Sequence, residues 1–575
     1  MRYATSAATP RFPVWRVRTV LALFVAAFLV LLGRAVYLQA YNDDFLQAKG
    51  ESRYSRVIEI PANRGRILDR NGEALAVSTP VKSIWAIPED VALQGKQLES
   101  LSRHLEMPPR EVRKRLRDTD RDFVYIKRQV PPEIGDRVAD LHVPGVFQSR
   151  EYRRYYPGGE VMAHVLGFTG VDDTGQEGIE LAFQHELAGR PGSRRVIKDR
   201  RGQIVEDVES IRAAQSGRDL VLSIDARVQH LAFRSLRQAI DSNRAKGGGM
   251  VVLDVATGEV LALANLPTYN PNNRARMSGA QLRNRAVTDA FEPGSTLKPF
   301  TIALALEAGK VRPDTVIQTA PGSLAIGPAT IRDAHPAGAL TVQQVIQKSS
   351  NVGAAKIALG LPAERMWNLF DDIGFGTSPR LGFPGESSGK VRPFKTWRPI
   401  EQATMSYGHG ISVSLVQLAR AYTVFARDGE LLPLTLLKAA SPPPGKRVLS
   451  ERTAREVRRM LEMAVQPGGT APRAQIPGYR VGGKTGTAHK QENGGYAANK
   501  YIASFVGFAP VSNPRLVIAV MIDEPSAGDY YGGLVAAPVF AEVMAGSLRV
   551  LGVPPDAPMT PIELPAAGSE VKESV

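Results

Sequence analysis

The feature that most restricts this chain is an apolar run near its start, TVLALFVAAFLVLLG from Thr19 through Gly33, which resumes after Arg34 as AVYLQA. Residues 20–40 would form about 31 Å of helix at 1.5 Å per residue, close to one bilayer core. Arg34 can snorkel to the headgroups, and Trp15 and Tyr37 suit the two interfaces. Arg2, Arg11, Arg16 and Arg18 precede the run, and no acidic residue occurs before Asp43. Cytoplasmic flanks carry the positive charge, so residues 1–19 are expected to be a cytoplasmic tail, 20–40 a transmembrane helix, and the remainder extracytoplasmic. A single-pass protein with its bulk outside the cytoplasm is expected. Leu38-Gln39-Ala40 is a poor cleavage site, which favours a retained anchor over a signal peptide.

Lysine and arginine (72) exceed aspartate and glutamate (57), a net charge of +15. The basic residues are scattered without interleaved aromatics, so nucleic acid is not expected as a partner; a lipid bilayer or an anionic polymer fits. With no cysteine there is no disulfide, no thiolate nucleophile and no cysteine-ligated metal. Residues 43–211 are rich in charge, Pro and Gly, with β-like runs such as RVIEIPA and KSIWAIP and no hydrolytic or metal motif. They read as a non-catalytic, β-rich pedestal, with RAAQSG (212–217) as the linker. Residues 219–552 then show an α/β pattern. DLVLSID (219–225) is strand-like, and apolar residues recur at helical spacing over 226–242. Residues 249–255 and 259–265 read as a hairpin, YIASFVGFAP and RLVIAVMID as strands, and 538–551 as a helix. The expected fold is α+β, an antiparallel sheet flanked by helices. The Pro-rich segment 553–575 is expected to be disordered.

Three short motifs carry chemistry. FEPGSTLKPF (291–300) contains S-x-x-K as Ser295 and Lys298, three apart and so on one helical face. Pro293, Gly294 and Pro299 put Ser295 at a helix N-terminus, where developing negative charge is favoured. A serine hydroxyl is a weak nucleophile until a base activates it, and a neutral lysine is a competent base. Ser349-Ser350-Asn351 follows Val342, Val345 and Ile346, so Ser349 falls on their buried face. Asn351 would face away on an unbroken helix, and lines the same cleft only if a turn intervenes near Ser350. Lys484-Thr485-Gly486-Thr487 reads as a strand with Thr485 and Thr487 on one face, two hydroxyls and an ammonium suited to a carboxylate. Residues 478–485 also match the phosphate-loop pattern, but that motif needs a helix starting at the lysine, and Gly486 followed by HKQENGG is a poor one. The eight histidines show no H-E-x-x-H spacing, so no metal and no cofactor is expected.

S-x-x-K, S-x-N and K-T-G in this order are the signature set of penicillin-binding proteins and serine β-lactamases. RGRILDRNGEALA (64–76), RRYYPGG (153–159), GQEGIE (175–180), KDRRG (198–202), LANLPTYNPNN (263–273) and YGHG (407–410) extend the match over nearly the whole chain. The sequence resembles the class B penicillin-binding proteins, in particular division-specific, FtsI-type peptidoglycan D,D-transpeptidases. The resemblance implies a serine acyl-enzyme that cross-links stem peptides during septal wall synthesis and is inhibited by β-lactams. It assigns Ser295 as nucleophile and Lys298 as base, with a pKa lowered by Lys484 and burial. It gives Ser349 a proton relay and makes Asn351 the holder of Lys298 and the substrate amide. The backbone N–H groups of Ser295 and Thr487 become the oxyanion hole, and Lys484, Thr485, Gly486 and Thr487 the carboxylate site. Tyr407 and His409 are cleft candidates; His409 stands where an aromatic residue is expected. Implied partners are peptidoglycan stem peptides on lipid-linked glycan strands, β-lactams, an FtsW-like glycan polymerase and other division proteins. The alternatives are an elongation-type class B transpeptidase or a membrane-anchored β-lactam sensor. A soluble β-lactamase is disfavoured by the anchor and pedestal. The RGRILDRNG and RRYYPGG blocks are expected to be buried Arg/Asp pairs and turns.

Overall fold

The apolar run folds as helix α1 (Val14–Val36), followed by a π-helical turn at Tyr37–Tyr41. Residues 14–39 form one helix long and apolar enough to cross a membrane, starting six residues before the span read from hydropathy because Trp15, Arg16 and Arg18 continue its first turns. The guanidinium of Arg34 lies over the Tyr37 ring, 5.5 Å from its centre. The computed structural model describes residues 13–41, 55–91, 95–117, 123–198, 204–275, 277–492, 495–562 and 571. Most of the tail 1–19, and residues 199–202 of the KDRRG block, lie outside them.

The chain divides into two compact units. The first comprises Met1–Ala62, Pro80–Glu151 and Arg190–Gln215. In it Ser55–Ile60, Gly192–Lys198 and Ile204–Arg212 form an antiparallel sheet, with the middle strand paired to both others. A separate small core gathers Leu98, Leu101, Leu105, Val112, Ile126 and Val138 from short helices and the strand Val124–Val130.

The second unit takes Asn63–Thr79, Tyr152–Gly189 and Ser216–Val575. The boundary therefore does not fall once, at 212–217; two stretches of the expected pedestal pack with the C-terminal part. Ile67, Tyr156, Leu166 and Ile179 of these stretches join one apolar core with Val251 and Leu263, and a buried ion cluster ties the two stretches to each other. Glu180 is fully buried and takes Arg64 on one oxygen and Arg154 on the other, each at 2.6 Å. Buried charges persist only when paired, so the two segments holding these residues, Asn63–Thr79 and Tyr152–Gly189, are locked together. The buried and half-buried arginines of these blocks thus pair with glutamates, Arg70 reaching Glu259 at 3.2 Å, while the exposed Arg66 pairs with an aspartate, Asp219, at 2.7 Å.

In this unit helix α2 (Ala226–Ser242), capped by Asp225, precedes a hairpin of β1 (Gly247–Asp254) and β2 (Val260–Leu266). Helices α3 (Lys298–Glu307), α4 (Val342–Lys348), α5 (Asn351–Leu359) and α6 (Leu415–Ala426) follow. The strands β3 (Gly482–Glu492), β4 (Gly495–Ala509) and β5 (Leu516–Asp523) and the helix α7 (Ala537–Val550) complete it. The sheet order is β2-β1-β5-β4-β3, antiparallel throughout. Alternation splits its side chains between two cores. Met250, Val252, Val520 and Ile522 pack on Phe233 and Leu236 of α2 and Phe540 and Met544 of α7. Val251, Leu253, Ala519 and Met521 join the other core with Phe300 of α3 and Phe425 of α6. With both faces covered, β1, β2 and β5 are apolar nearly throughout, which is why they read as continuous runs. Of the expected strand 219–225 only Leu220–Val221 forms, paired in parallel with Ile67–Leu68. The expected disordered tail is tied down at its start: Asp556 accepts from the Arg480 and Ser512 amides at 2.7 and 3.1 Å. Residues 563–570 and 572–575 lie outside the described residues.

Candidate active site

Ser295 lies in a 3-10 turn, Gly294–Leu297, that runs directly into α3, whose first residue is Lys298. Pro299 sits in the first helical turn, where a missing N–H costs nothing. The turn is held from both sides: the buried Tyr422 hydroxyl donates to Thr296 O at 2.7 Å, and Thr296 Oγ1 donates to Pro293 O at 2.7 Å. Beneath it the Phe300 ring packs 4.8 Å from Phe425 and 5.5 Å from Tyr422. On this base Lys298 Nζ donates to Ser295 Oγ (2.8 Å), Ser349 O (2.7 Å) and Ser349 Oγ (3.0 Å). All three side chains are buried.

Ser349 reaches Lys298 because the helix breaks there. Its φ of 62° is left-handed, ending α4, and Ser350 caps α5 by accepting from Gly353 N. Asp333 clamps this junction, accepting from Ser350 Oγ at 2.7 Å and Val352 N at 3.0 Å. The intervening turn expected near Ser350 is thus at Ser349. Asn351 does not hold Lys298: its Nδ2 donates to Arg332 O at 3.3 Å, and its buried Oδ1 accepts no hydrogen bond. Placed as the first residue of α5, it is turned toward the 329–332 strand instead.

Strand β3 runs uninterrupted through Lys484, so no phosphate-loop helix starts there. Lys484 Nζ donates to Thr485 Oγ1 at 3.0 Å and to Thr470 Oγ1 at 3.3 Å, and the two threonine hydroxyls lie 3.0 Å apart. Thr487 Oγ1 accepts from Gly532 N at 3.0 Å. Gly486 permits the strand to press on the serine turn: a Cβ there would stand 2.7 Å from Pro293 O and 3.0 Å from Thr296 Cγ2. Gly408 does the same for the YGHG loop. At φ +88° its missing Cβ would lie 2.2 Å from Gly294 O, and its own carbonyl accepts from Gly294 N.

The loop brings Tyr407 and His409 to the site. Lys298 Nζ sits 5.9 Å from the centre of the Tyr407 ring, and the His409 ring meets Tyr407 edge-on at 5.1 Å. Burial pushes the His409 imidazole down to about 4, with Lys298 and His489 adding to the effect, so it is neutral near pH 7. Burial raises the Tyr407 phenol well above its usual range.

Sequence reasoning missed Thr470, Asp333 and Glu292. Glu292 lies within the FEPGS block and Thr470 ends PGGT (467–470), a turn signal with no recognisable function; Asp333 follows a short hairpin and carried no signal.

The penicillin binding protein transpeptidase domain matches residues 248–545, and the penicillin-binding protein dimerisation domain matches residues 59–222. A probable peptidoglycan D,D-transpeptidase, PenA, of Neisseria gonorrhoeae is 46% identical over 95% of this chain and 94% of its own. The peptidoglycan D,D-transpeptidase FtsI of Escherichia coli K12 is 43% identical over 95% of this chain and 93% of its own. The transpeptidase domain of penicillin-binding protein 3 from Burkholderia pseudomallei superposes with a TM-score of 0.55 and 52% identity, covering 59% of this chain and 98% of that one. Two domain matches in series and near-full-length relatives at this identity establish that the chain belongs to the class B penicillin-binding proteins.

Proposed function

We propose that this protein is a membrane-anchored D,D-transpeptidase that cross-links peptidoglycan stem peptides at the division septum through an acyl-enzyme on Ser295. The observation that carries the reading is the 2.8 Å separation of Lys298 Nζ and Ser295 Oγ in a buried pocket. In its neutral form Lys298 takes the hydroxyl proton as Ser295 Oγ attacks the carbonyl between the two terminal D-alanines. The backbone N–H groups of Ser295 and Thr487 receive the oxyanion; the close packing of the serine turn on β3 supports this pairing. Ser349, within 3.0 Å of the same amine, carries a proton to the departing D-alanine. Lys484 and Thr485, joined by Thr470, bind the terminal carboxylate, with Gly486 and Thr487 lining the strand edge. An amine of a second stem peptide then displaces Ser295, forming the new amide. Asn351 turns its unpaired Oδ1 to the substrate amide rather than to Lys298.

The basic N-terminal flank supports a cytoplasmic N-terminus with both units in the periplasm. The likeness to FtsI supports a glycan polymerase of the FtsW kind as partner. The test is labelling of the detergent-solubilised full chain with fluorescent penicillin, followed by mass spectrometry of the modified peptide. The adduct is expected on the peptide containing Ser295, and Ser295→Ala should abolish it while leaving the thermal midpoint unchanged. Lys298→Ala should slow acylation by about 10²–10⁴-fold. Label on any other peptide, or undiminished label in Ser295→Ala, overturns the assignment.

A further inference from the structure

Three residues before the nucleophile, Glu292 is buried yet forms no ion pair among the described residues. Its carboxylate is solvated by neutral donors from two other segments. Gly410 N, in the YGHG loop, donates to Oε1 at 2.7 Å. Gln491 Nε2, near the end of β3, donates to Oε1 at 2.8 Å, and the Tyr496 hydroxyl, near the start of β4, donates to Oε2 at 3.0 Å. Gln491 and Tyr496 face each other across the β3–β4 hairpin, so this carboxylate grips both its strands. Burial raises its pKa, as expected for a carboxylate with no cation at hand.

The two gripped segments form a continuous wall beside the serine. Tyr407 lies against the Lys298 amine, His409 against Tyr407, and Tyr496 6.3 Å from His409. Residue 292 is covalently linked through Pro293 and Gly294 to Ser295, so one carboxylate ties this wall to the nucleophile's own segment. A buried acceptor serving three donors is costly to remove, because each donor loses its partner at once. Gly294 N also donates to Gly408 O at 3.3 Å, a second tie between the YGHG loop and this segment, whereas the Tyr407–His409–Tyr496 contacts are ring packing, which leaves the rings free to shift.

We propose that Glu292 is a positioning residue whose carboxylate clasps the YGHG loop and the β3–β4 hairpin into the wall that captures substrate beside Ser295. This rests on the acyl-transfer reading above. The clasp acts through geometry rather than charge. In Glu292→Gln the amide oxygen still accepts from Gly410 N and Gln491, and the amide nitrogen can donate to the Tyr496 oxygen, so the wall is retained. In Glu292→Ala it is not.

The experiment is pre-steady-state acylation of the full chain in detergent by fluorescent penicillin, resolving the non-covalent dissociation constant from the limiting acylation rate. Glu292→Ala should weaken capture by at least about tenfold while keeping the limiting rate within about threefold, a split that general loss of folded protein would not produce. Glu292→Gln should restore capture to within about threefold of the parent. Tyr496→Phe, which takes the donor from Glu292 Oε2 but keeps the two bonds to Oε1 from Gly410 N and Gln491, should weaken capture by about two- to fivefold. Unchanged capture in Glu292→Ala, loss in the limiting rate alone, or a Gln variant as poor as Ala overturns the proposal. The parent is acylated in every one of those outcomes, whereas failure of the enzyme reading itself would appear as a parent that takes no label.

Discussion

Ser349 holds a left-handed backbone, φ 62°, and from that conformation places its hydroxyl 3.0 Å and its carbonyl 2.7 Å from the Lys298 amine. A non-glycine residue there carries about 1 kcal/mol of strain. Glycine would relieve it, so the side chain must be retained for something other than backbone conformation. Ser349→Gly and Ser349→Ala separate the two effects. Both lose the hydroxyl and should slow turnover of a D-Ala-D-Ala peptide by a similar factor, about 10²-fold or more. Ser349→Gly should be more stable than Ser349→Ala by about 1 kcal/mol, since only alanine keeps the strain. Peptide kinetics and thermal melting check both; a glycine variant with parental turnover would show that the hydroxyl is idle.

Thr470 offers the second test. Its hydroxyl is within hydrogen-bond reach of both Lys484 Nζ and Thr485 Oγ1. Thr470→Val keeps the shape, but it removes a bond to an ammonium worth about 1.5–3 kcal/mol. Acylation by a β-lactam bearing a free carboxylate should fall about 10- to 100-fold, and Thr470→Ser should recover most of it. The discriminating measurement is the same reaction with an esterified β-lactam. If the cluster serves the carboxylate, the ester should show little difference between parent and valine variant.

The buried arginine pair makes a prediction about stability. Glu180→Gln keeps the shape and removes the charge, leaving Arg64 and Arg154 facing a neutral group in an interior site. Breaking a buried ion pair at one partner costs about 3–5 kcal/mol. The thermal midpoint of the full chain should drop by several degrees, while penicillin still labels whatever protein remains folded. An unchanged midpoint would mean that the arginines find solvent or another acceptor.

What could be read from the residues, and what could not, divides along a physical line. The spacing of Ser295 and Lys298, the break needed before Asn351 and the alternation around Thr485 and Thr487 are local consequences of helix and strand geometry. The structure places them as those periods demand. Most of the sheet was legible because its faces are buried and β1, β2 and β5 are apolar nearly throughout. Thr470, Asp333 and Glu292 were not, because each acts on a partner far away in sequence, Glu292 on Tyr496 across 204 positions. The interleaving of Arg64 and Arg154 with Glu180 escaped for the same reason: a charged residue looks alike whether solvated or buried until its partner is known.

His164 supplies a pH dependence. It is buried, and its Nε2–H donates to Gln281 O at 2.7 Å. Burial pulls the imidazole from 6.5 down to about 4; the bond to Gln281 opposes this in part, and the Arg285 cation adds to it. The folded state therefore resists protonation. Above pH 6.5 both states are neutral and the full stability is present. As pH falls from 6.5 toward 4 the unfolded chain takes up a proton that the folded chain refuses, and stability is lost, amounting to about 3 kcal/mol at pH 4. His164→Gln retains a donor for Gln281 O and has no such titration. Thermal midpoints of parent and variant, measured from pH 7.5 to 4, should converge toward parity or a parental advantage at the high end. They should separate on acidification, the parent falling by several degrees more. His409, which shifts the same way, is present in both proteins and cancels from the difference. Parallel curves across the range would mean that His164 is protonated in the folded state, and with it that the pocket around Gln281 admits a charge.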